Sequence, residues 1–413
     1  MSLRPCVWGI TAFMALSFWG GTFVSAQTPT DFTSWKDAKS ADSVPDWIGR
    51  MLRDFRSITG PPRDELLVHT LSALKEIVAD ADVVPSTRYN AILAAGQLVS
   101  TEPTPGNLPV AYSAALPYLV DVYQEPDFPS YLKYGALLGI VRHTLCGIDH
   151  SQQDKIIDLL LGTVTTEVEL DDVTPAVWHW FRRTALDGLT ALKTVGTNKK
   201  VVTELLAVIE RKSQELEELC RSPNILTREQ WEWTRQTTEL ASQAAKTLGD
   251  LDYRSASHTD AEIMTDVFIK LTKAVCDVER KAATDSEEMG EAFPHSAMLL
   301  EHVVVHVKVC LQSVVWGFRS VFLTANRPGE SSFYASLKAD DLAAKRLDSL
   351  LSEIIELAAF LDEGDRTKRS VAAANAPKEF KFDLSELRGA LAKCSESLEK
   401  ILRESSSPPV PRQ

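Results

Sequence analysis

Four residues in one stretch have the types and spacing of a metal site. His295, His302, His306 and Cys310 follow one another at intervals of 7, 4 and 4. At about 100° per residue, a helix gathers them into one sector. His302 and His306, one turn apart, are able to hold a single metal ion between their ring nitrogens. A structural account competes with this. Glu301, Lys308, Gln312 and Arg319 mark the wet side of the same helix, and Cys310 falls nearly opposite them. The histidines then point toward or beside the core, where a neutral imidazole with one hydrogen-bond partner is common. The HExxH arrangement is absent, because Glu301 precedes His302 instead of following it.

The aromatic set Trp178, Trp180, Trp231 and Trp233 is the second candidate, as a contact surface for a ligand or partner. Tryptophans two apart leave a helix on different sides, so one of each pair is expected to pack and the other to reach a surface. An exposed indole can stack on a sugar or grip a peptide. No catalytic constellation is found. GxSxG, GxGxxG and GxxxxGK[ST] do not occur, and no His stands in a recognisable relation to a Ser or Cys. Asp171-Asp172 and Asp340-Asp341 fall at expected helix starts, where carboxylates favour the dipole. No catalytic residue and no cofactor is assigned.

The tryptophans sit in a duplication. Residues 174–196 and 227–249 align without a gap at an offset of 53, with nine identities in 23 positions, including both Trp pairs. Thr174 followed by Pro175 is an N-cap with proline at the tolerated first position. Thr227 with Gln230 makes a capping box. Each copy ends in glycine, Gly196 or Gly249, which can close a helix in the left-handed conformation. A basic anchor with small residues three and six positions later recurs: Arg88 with Ala91 and Ala94, Lys133 with Ala136 and Gly139, Arg182 with Ala185 and Gly188, and Arg235 with Thr238 and Ala241. The small residues thin one side of each helix for a close neighbour. The anchor is expected to lie along the groove with its charge in water. A second helix precedes each anchor helix, over 65–80, 112–122, 153–165 and 201–220.

This rhythm of helix, turn and helix, repeating near every 50 residues over about 60–250, resembles the HEAT/armadillo class of α-solenoids. In that class two antiparallel helices repeat and the second often carries an Arg followed by small residues. The resemblance implies an interaction scaffold without catalysis. Residues 258–405 read differently, as four helical segments over 260–283, 294–325, 337–361 and 384–403. They form either a four-helix bundle or a cap on the last apolar face of the array. Linkers are expected at 250–258, 324–336 and 363–382, and residues 406–413 form a Ser/Pro-rich tail. The expected fold is all-α: an irregular HEAT-like array of helical hairpins followed by a C-terminal helical bundle or capping unit.

The chain has 413 residues with 44 basic and 57 acidic side chains, a formal charge of −13. An acidic body is a poor partner for phosphate backbones, so no nucleic-acid binding is expected. Arg4, the uncharged run from Val7 to Trp19, and Val24-Ser25-Ala26 make residues 1–26 a secretory signal pattern, followed by a lead segment over 27–59. The expected location is extracytoplasmic, with no stable membrane insertion once the signal is cut. Five cysteines follow that segment: Cys146, Cys220, Cys276, Cys310 and Cys394. They are scattered and read mostly as small buried apolar residues. The function expected is an exported, non-catalytic interaction or structural scaffold of the cell envelope, with a protein partner and possible self-association. The alternative is a metal- or carbohydrate-binding helical protein.

Overall fold

The computed structural model describes residues 55, 58, 60–167, 172–253, 261–289, 307–315, 337, 341–373 and 384–406. The expected signal segment, most of the expected lead, His295, His302 and His306, the expected 324–336 linker and the end of the Ser/Pro-rich stretch lie outside them, as does most of the expected 250–258 boundary. The fold is all-α. Its helices are α1 (Pro61–Ala79), α2 (Pro85–Gln97), α3 (Ala115–Gln124), α4 (Ser130–Cys146), α5 (His150–Thr165), α6 (Pro175–Leu192), α7 (Lys200–Cys220), α8 (Arg228–Asp250), α9 (Ala261–Met289), α10 (Leu342–Ala373) and α11 (Leu384–Ser406), with a further helical stretch at 307–315. The sole sheet among the described residues is a short antiparallel pair, β1 (Val99–Thr101) and β2 (Val110–Ala111). No described helix is long and apolar enough to cross a membrane.

Local chemistry sets the helix starts. Proline opens α1, α2 and α6, where its missing N–H costs nothing. Thr174 Oγ1 accepts from the Val177 amide at 3.4 Å. At α8 both arms of the capping box are made: Gln230 N donates to Thr227 Oγ1 at 3.2 Å, and Thr227 N donates to Gln230 Oε1 at 2.8 Å. The helix ends depart from expectation. Lys193, not Gly196, takes the left-handed conformation that closes α6, with φ at 50°. Gly249 stays inside α8. Residues 363–373 continue α10, because their Lys, Arg, Glu and Ala content suits a helix as well as a linker.

Successive helices pair as hairpins: α1 with α2, α3 with α4, α5 with α6, and α7 with α8. The second members lie in a row, α2 beside α4, α4 beside α6, and α6 beside α8. The two similar stretches, 174–196 and 227–249, are therefore neighbours. Thr190 and Thr247 share a hydroxyl hydrogen bond at 2.9 Å, Gln243 donates to Asp187 at 2.7 Å, and beyond the helices Asp252 N donates to Lys193 O at 3.1 Å. α9 packs on α7 and α8 and carries α10 and α11 on its other side. One core runs without a break from Phe55 to Leu398.

The small residues do what their spacing suggested. At the crossing of α2 and α4, a Cβ added at Gly96 would come within 2.6 Å of the Gly139 Cα. A Cβ at Gly188 would meet Leu160 at 3.0 Å and Val141 at 3.1 Å.

The basic anchors do not follow expectation. Arg88, Lys133 and Arg182 are buried, not laid out into water. Arg88 Nε donates to Val78 O at 2.9 Å, and Arg182 Nε donates to Val164 O at 2.9 Å. Each acceptor is the penultimate carbonyl of the preceding helix, a group that has no partner within its own helix. Lys133 Nζ reaches Pro126 O, just past the end of α3, at 3.4 Å. The anchor therefore caps the first helix of its own hairpin, and charge-assisted bonding to the negative end of that helix offsets the desolvation. Arg235 is the exception. It lies at the surface and pairs with Glu232 and Glu239 at 2.7 and 2.5 Å. Those two carboxylates, three before and four after it on α8, hold it within its own helix.

Two outcomes are expected from this packing. Arg182→Ala leaves a buried carbonyl and a cavity and should lower urea-unfolding stability by about 2–4 kcal/mol. Arg235→Ala should cost less than about 1 kcal/mol, as for an exposed ion pair. Equal losses would refute the capping role. Gly96→Ala forces backbones apart and should cost about 1–3 kcal/mol or more, whereas Gly162→Ala, which meets nothing within 4 Å, should be neutral or stabilising in the same assay.

Candidate functional site

The first turns of α2, α4 and α6 stand side by side and leave a hollow between them. Pro85 and Ser86 begin α2, Ser130 begins α4, and Val177 lies in the first turn of α6. One turn further in come Tyr89, Tyr134 and Phe181, with Tyr131 beside them. Together these residues line a cavity of about 400 Å³. Its wall is apolar and aromatic. Among its lining residues there is no carboxylate, imidazole, thiol or amine.

Backbone packing places the rings. Gly135 lets α2 and α4 approach, because a Cβ there would lie 2.5 Å from Ile92 and 3.2 Å from the Tyr89 ring. The Tyr134 ring sits 5.0 Å from Phe181 in a tilted arrangement, and its hydroxyl is 3.3 Å from Thr184 Oγ1. Burial, and Tyr134 nearby, push the Tyr89 hydroxyl above the usual phenol range, so it stays neutral and can donate. Ser86 Oγ is buried without a hydrogen-bond partner. The start of α4 is already served, since Asp172 Oδ2 accepts from Ser130 N at 2.9 Å, which holds that carboxyl below its usual range. A neutral, ring-lined hollow with a few hydroxyls suits apolar side chains and an extended backbone better than an anion.

The four tryptophans divide within each copy. Trp178 is buried, 5.4 Å from Phe181, and its Nε1 donates to Thr166 O at 3.3 Å. Trp231 is half-buried against Leu216, Ala274 and Val278. Trp180 and Trp233 are 55% and 40% exposed, which decides which member of each pair a ligand can reach. Neither lines the groove. Arg183 lies over the Trp180 ring at 5.3 Å. Beside it Glu239 of α8 meets His179 at 3.2 Å and Arg183 at 3.3 Å, joining α6 and α8.

His295, His302 and His306 lie outside the described residues. Cys310 is buried in the core. Among the described residues, no group of three or more His, Cys, Asp or Glu side chains converges as a metal would require. The groove tyrosines escaped the sequence reading, although a signal existed: Tyr89 and Tyr134 each follow directly after a basic anchor, Arg88 or Lys133. The chain has no significant match among models of protein families, among curated proteins or among solved structures.

His143, on α4, is the most perturbed imidazole in this row. Burial, then the nearby Arg142 charge, push its pKa down to about 4, and its Nε2 has no hydrogen-bond partner. The unfolded chain takes up the proton near pH 6.5, while the folded chain refuses it until about 4. Stability is therefore full above pH 6.5 and falls as the pH drops toward 4, by up to ~3 kcal/mol from this group. Urea midpoints between pH 7 and 4.5 should fall less steeply in His143→Leu than in the parent chain; parallel slopes would remove His143 as the cause.

Proposed function

We propose that this protein is an extracytoplasmic, non-catalytic interaction scaffold built from HEAT/armadillo-like helical hairpins, and that it holds an extended segment of a protein partner in the aromatic groove. The groove carries this reading. It spans three consecutive second helices, is lined by Tyr89, Tyr131, Tyr134, Val177 and Phe181, and has no carboxylate, imidazole, thiol or amine among its lining residues. Tyrosine supplies contact area at low entropic cost and a hydroxyl for a peptide carbonyl. The repeat reading is supported by the row of hairpins and by the same capping bond at Arg88 and Arg182. The export reading rests on the signal-like pattern of residues 1–26.

A second reading, carbohydrate stacking, is favoured by the exposed faces of Trp180 and Trp233 on neighbouring helices. It predicts that soluble oligosaccharides quench tryptophan fluorescence, with the effect lost in Trp180→Ala. Unchanged emission would end it.

The peptide reading is tested with a photoreactive phenylalanine analogue at position 131 of the full chain, expressed in its own cell. A discrete adduct is expected after illumination. It should weaken at least tenfold in a Tyr89→Ala, Tyr134→Ala background and be absent with the probe at Asp158, an exposed site on α5. Identical adducts from positions 131 and 158, or none from 131, would count against the groove.

A further inference from the structure

Among the described residues, the most extensive helix-to-helix packing is between α9 and α11. Two cysteines meet inside it. Cys276 of α9 is fully buried, Cys394 of α11 is 4% exposed, and the Cys394 thiol lies close enough to act directly on that of Cys276. The neighbouring residues repeat the contact: Ser395 Oγ donates to Asp277 Oδ1 at 2.8 Å, also out of solvent. One turn back along α9, Lys273 lies within reach of the charge of Glu399, just over one turn on along α11. Further ties hold α11 in place, since Ser397 Oγ donates to Glu353 of α10 at 2.6 Å and Lys393 pairs with Glu356. Both helices are thus fixed in register around the sulfur pair. Cys146 and Cys220 are only half-buried and lie on α4 and at the end of α7.

We propose that Cys276 and Cys394 are a disulfide-forming pair that staples α9 to α11. Like Asp277 and Ser395, they are separated by 118 residues. The bond forms by thiol–disulfide exchange. One thiolate attacks an external disulfide, of an oxidoreductase or of glutathione, and releases one thiol. The second cysteine then attacks the mixed disulfide and releases the other. Two protein thiols are oxidised and one external disulfide is reduced to two thiols.

Timing follows from burial. In the folded chain neither sulfur is open to a reagent, and the Cys394 thiol beside it, together with burial, holds the Cys276 thiol well above its usual range, so little thiolate is present. The exchange therefore belongs to the stage before α11 seals against α9. Chains folded without an oxidant stay reduced, and chains folded with one keep the bond against external reductant. Closing so long a loop restricts the unfolded chain strongly. The pairing stands independently of the groove; only its use in the cell rests on the proposed export, because an oxidising compartment supplies the oxidant.

The full chain, unfolded and reduced, is refolded once in a mixed glutathione buffer and once in excess reduced glutathione. Free thiols are then alkylated in denaturant and the peptides mapped by mass. The oxidised sample should have two fewer alkylated cysteines and one linked peptide pair containing Cys276 and Cys394. Its Tm should lie above that of the reduced sample by about 5 °C or more. In Cys394→Ala the linked peptide and the redox dependence of Tm should both vanish. Recovery of Cys276 and Cys394 singly alkylated from oxidised, folded wild-type chain would overturn the proposal, as would their linkage to other cysteines. Failure of cross-linking at position 131 would leave this result untouched, so the two ideas fall separately.

Discussion

A helix that ends inside a protein leaves carbonyls without partners, and the row of hairpins depends on how those are met. In two hairpins the answer is one guanidinium. Arg88 and Arg182 each leave the second helix, run through the interior and donate to the penultimate carbonyl of the first. That single bond sets how far the second helix slides along the first. It also brings a full charge next to the negative end of a helix, where it is most useful. Burial lowers the Arg182 pKa to about 10, which still leaves the cation intact at neutral pH. The fourth hairpin follows another course, with Arg235 held by two carboxylates on its own helix.

With each hairpin so set, the second helices can lie close in a row. The contact at Gly96 and Gly139 brings α2 and α4 together backbone to backbone, and Gly135 leaves room for the Ile92 and Tyr89 side chains nearer the groove. Close approach beyond the first turns, with bulkier rings in the first turns, opens a hollow at that end of the row. The groove is thus a by-product of graded residue size along α2, α4 and α6, floored by Phe181, which is fully buried. The seam between α6 and α8 is closed by polar groups instead, through Glu239 and through Thr190 with Thr247.

Much of this was legible beforehand. The paired helices of residues 60–250 were readable because their apolar spacing, capping threonines and prolines are local signals, and the nine identities between residues 174–196 and 227–249 pointed to α6 and α8 as a similar pair. The split of each Trp pair into an inward and an outward member followed from helical geometry. The misreadings that matter most for the site were non-local. Whether Arg182 lies in water or in the core depends on where the end of α5 falls, which no residue near 182 reports. The left-handed turn at Lys193 was hidden by the duplicated glycines nearby, and the tyrosine groove by the absence of any motif.

By itself the sequence determined helix content, the order of the hairpins and the thin faces along which they would touch. Each of these rests on residues within a turn or two of one another. Only the tertiary structure decided which carbonyl each buried cation serves, that Tyr89, Tyr134 and Phe181 face one hollow, and that Cys276 lies against Cys394 across 118 residues of chain. Those outcomes depend on how helices slide and rotate against distant partners. Many packings satisfy the same local pattern of apolar positions, and the choice among them is made by the summed fit of side chains far apart in sequence.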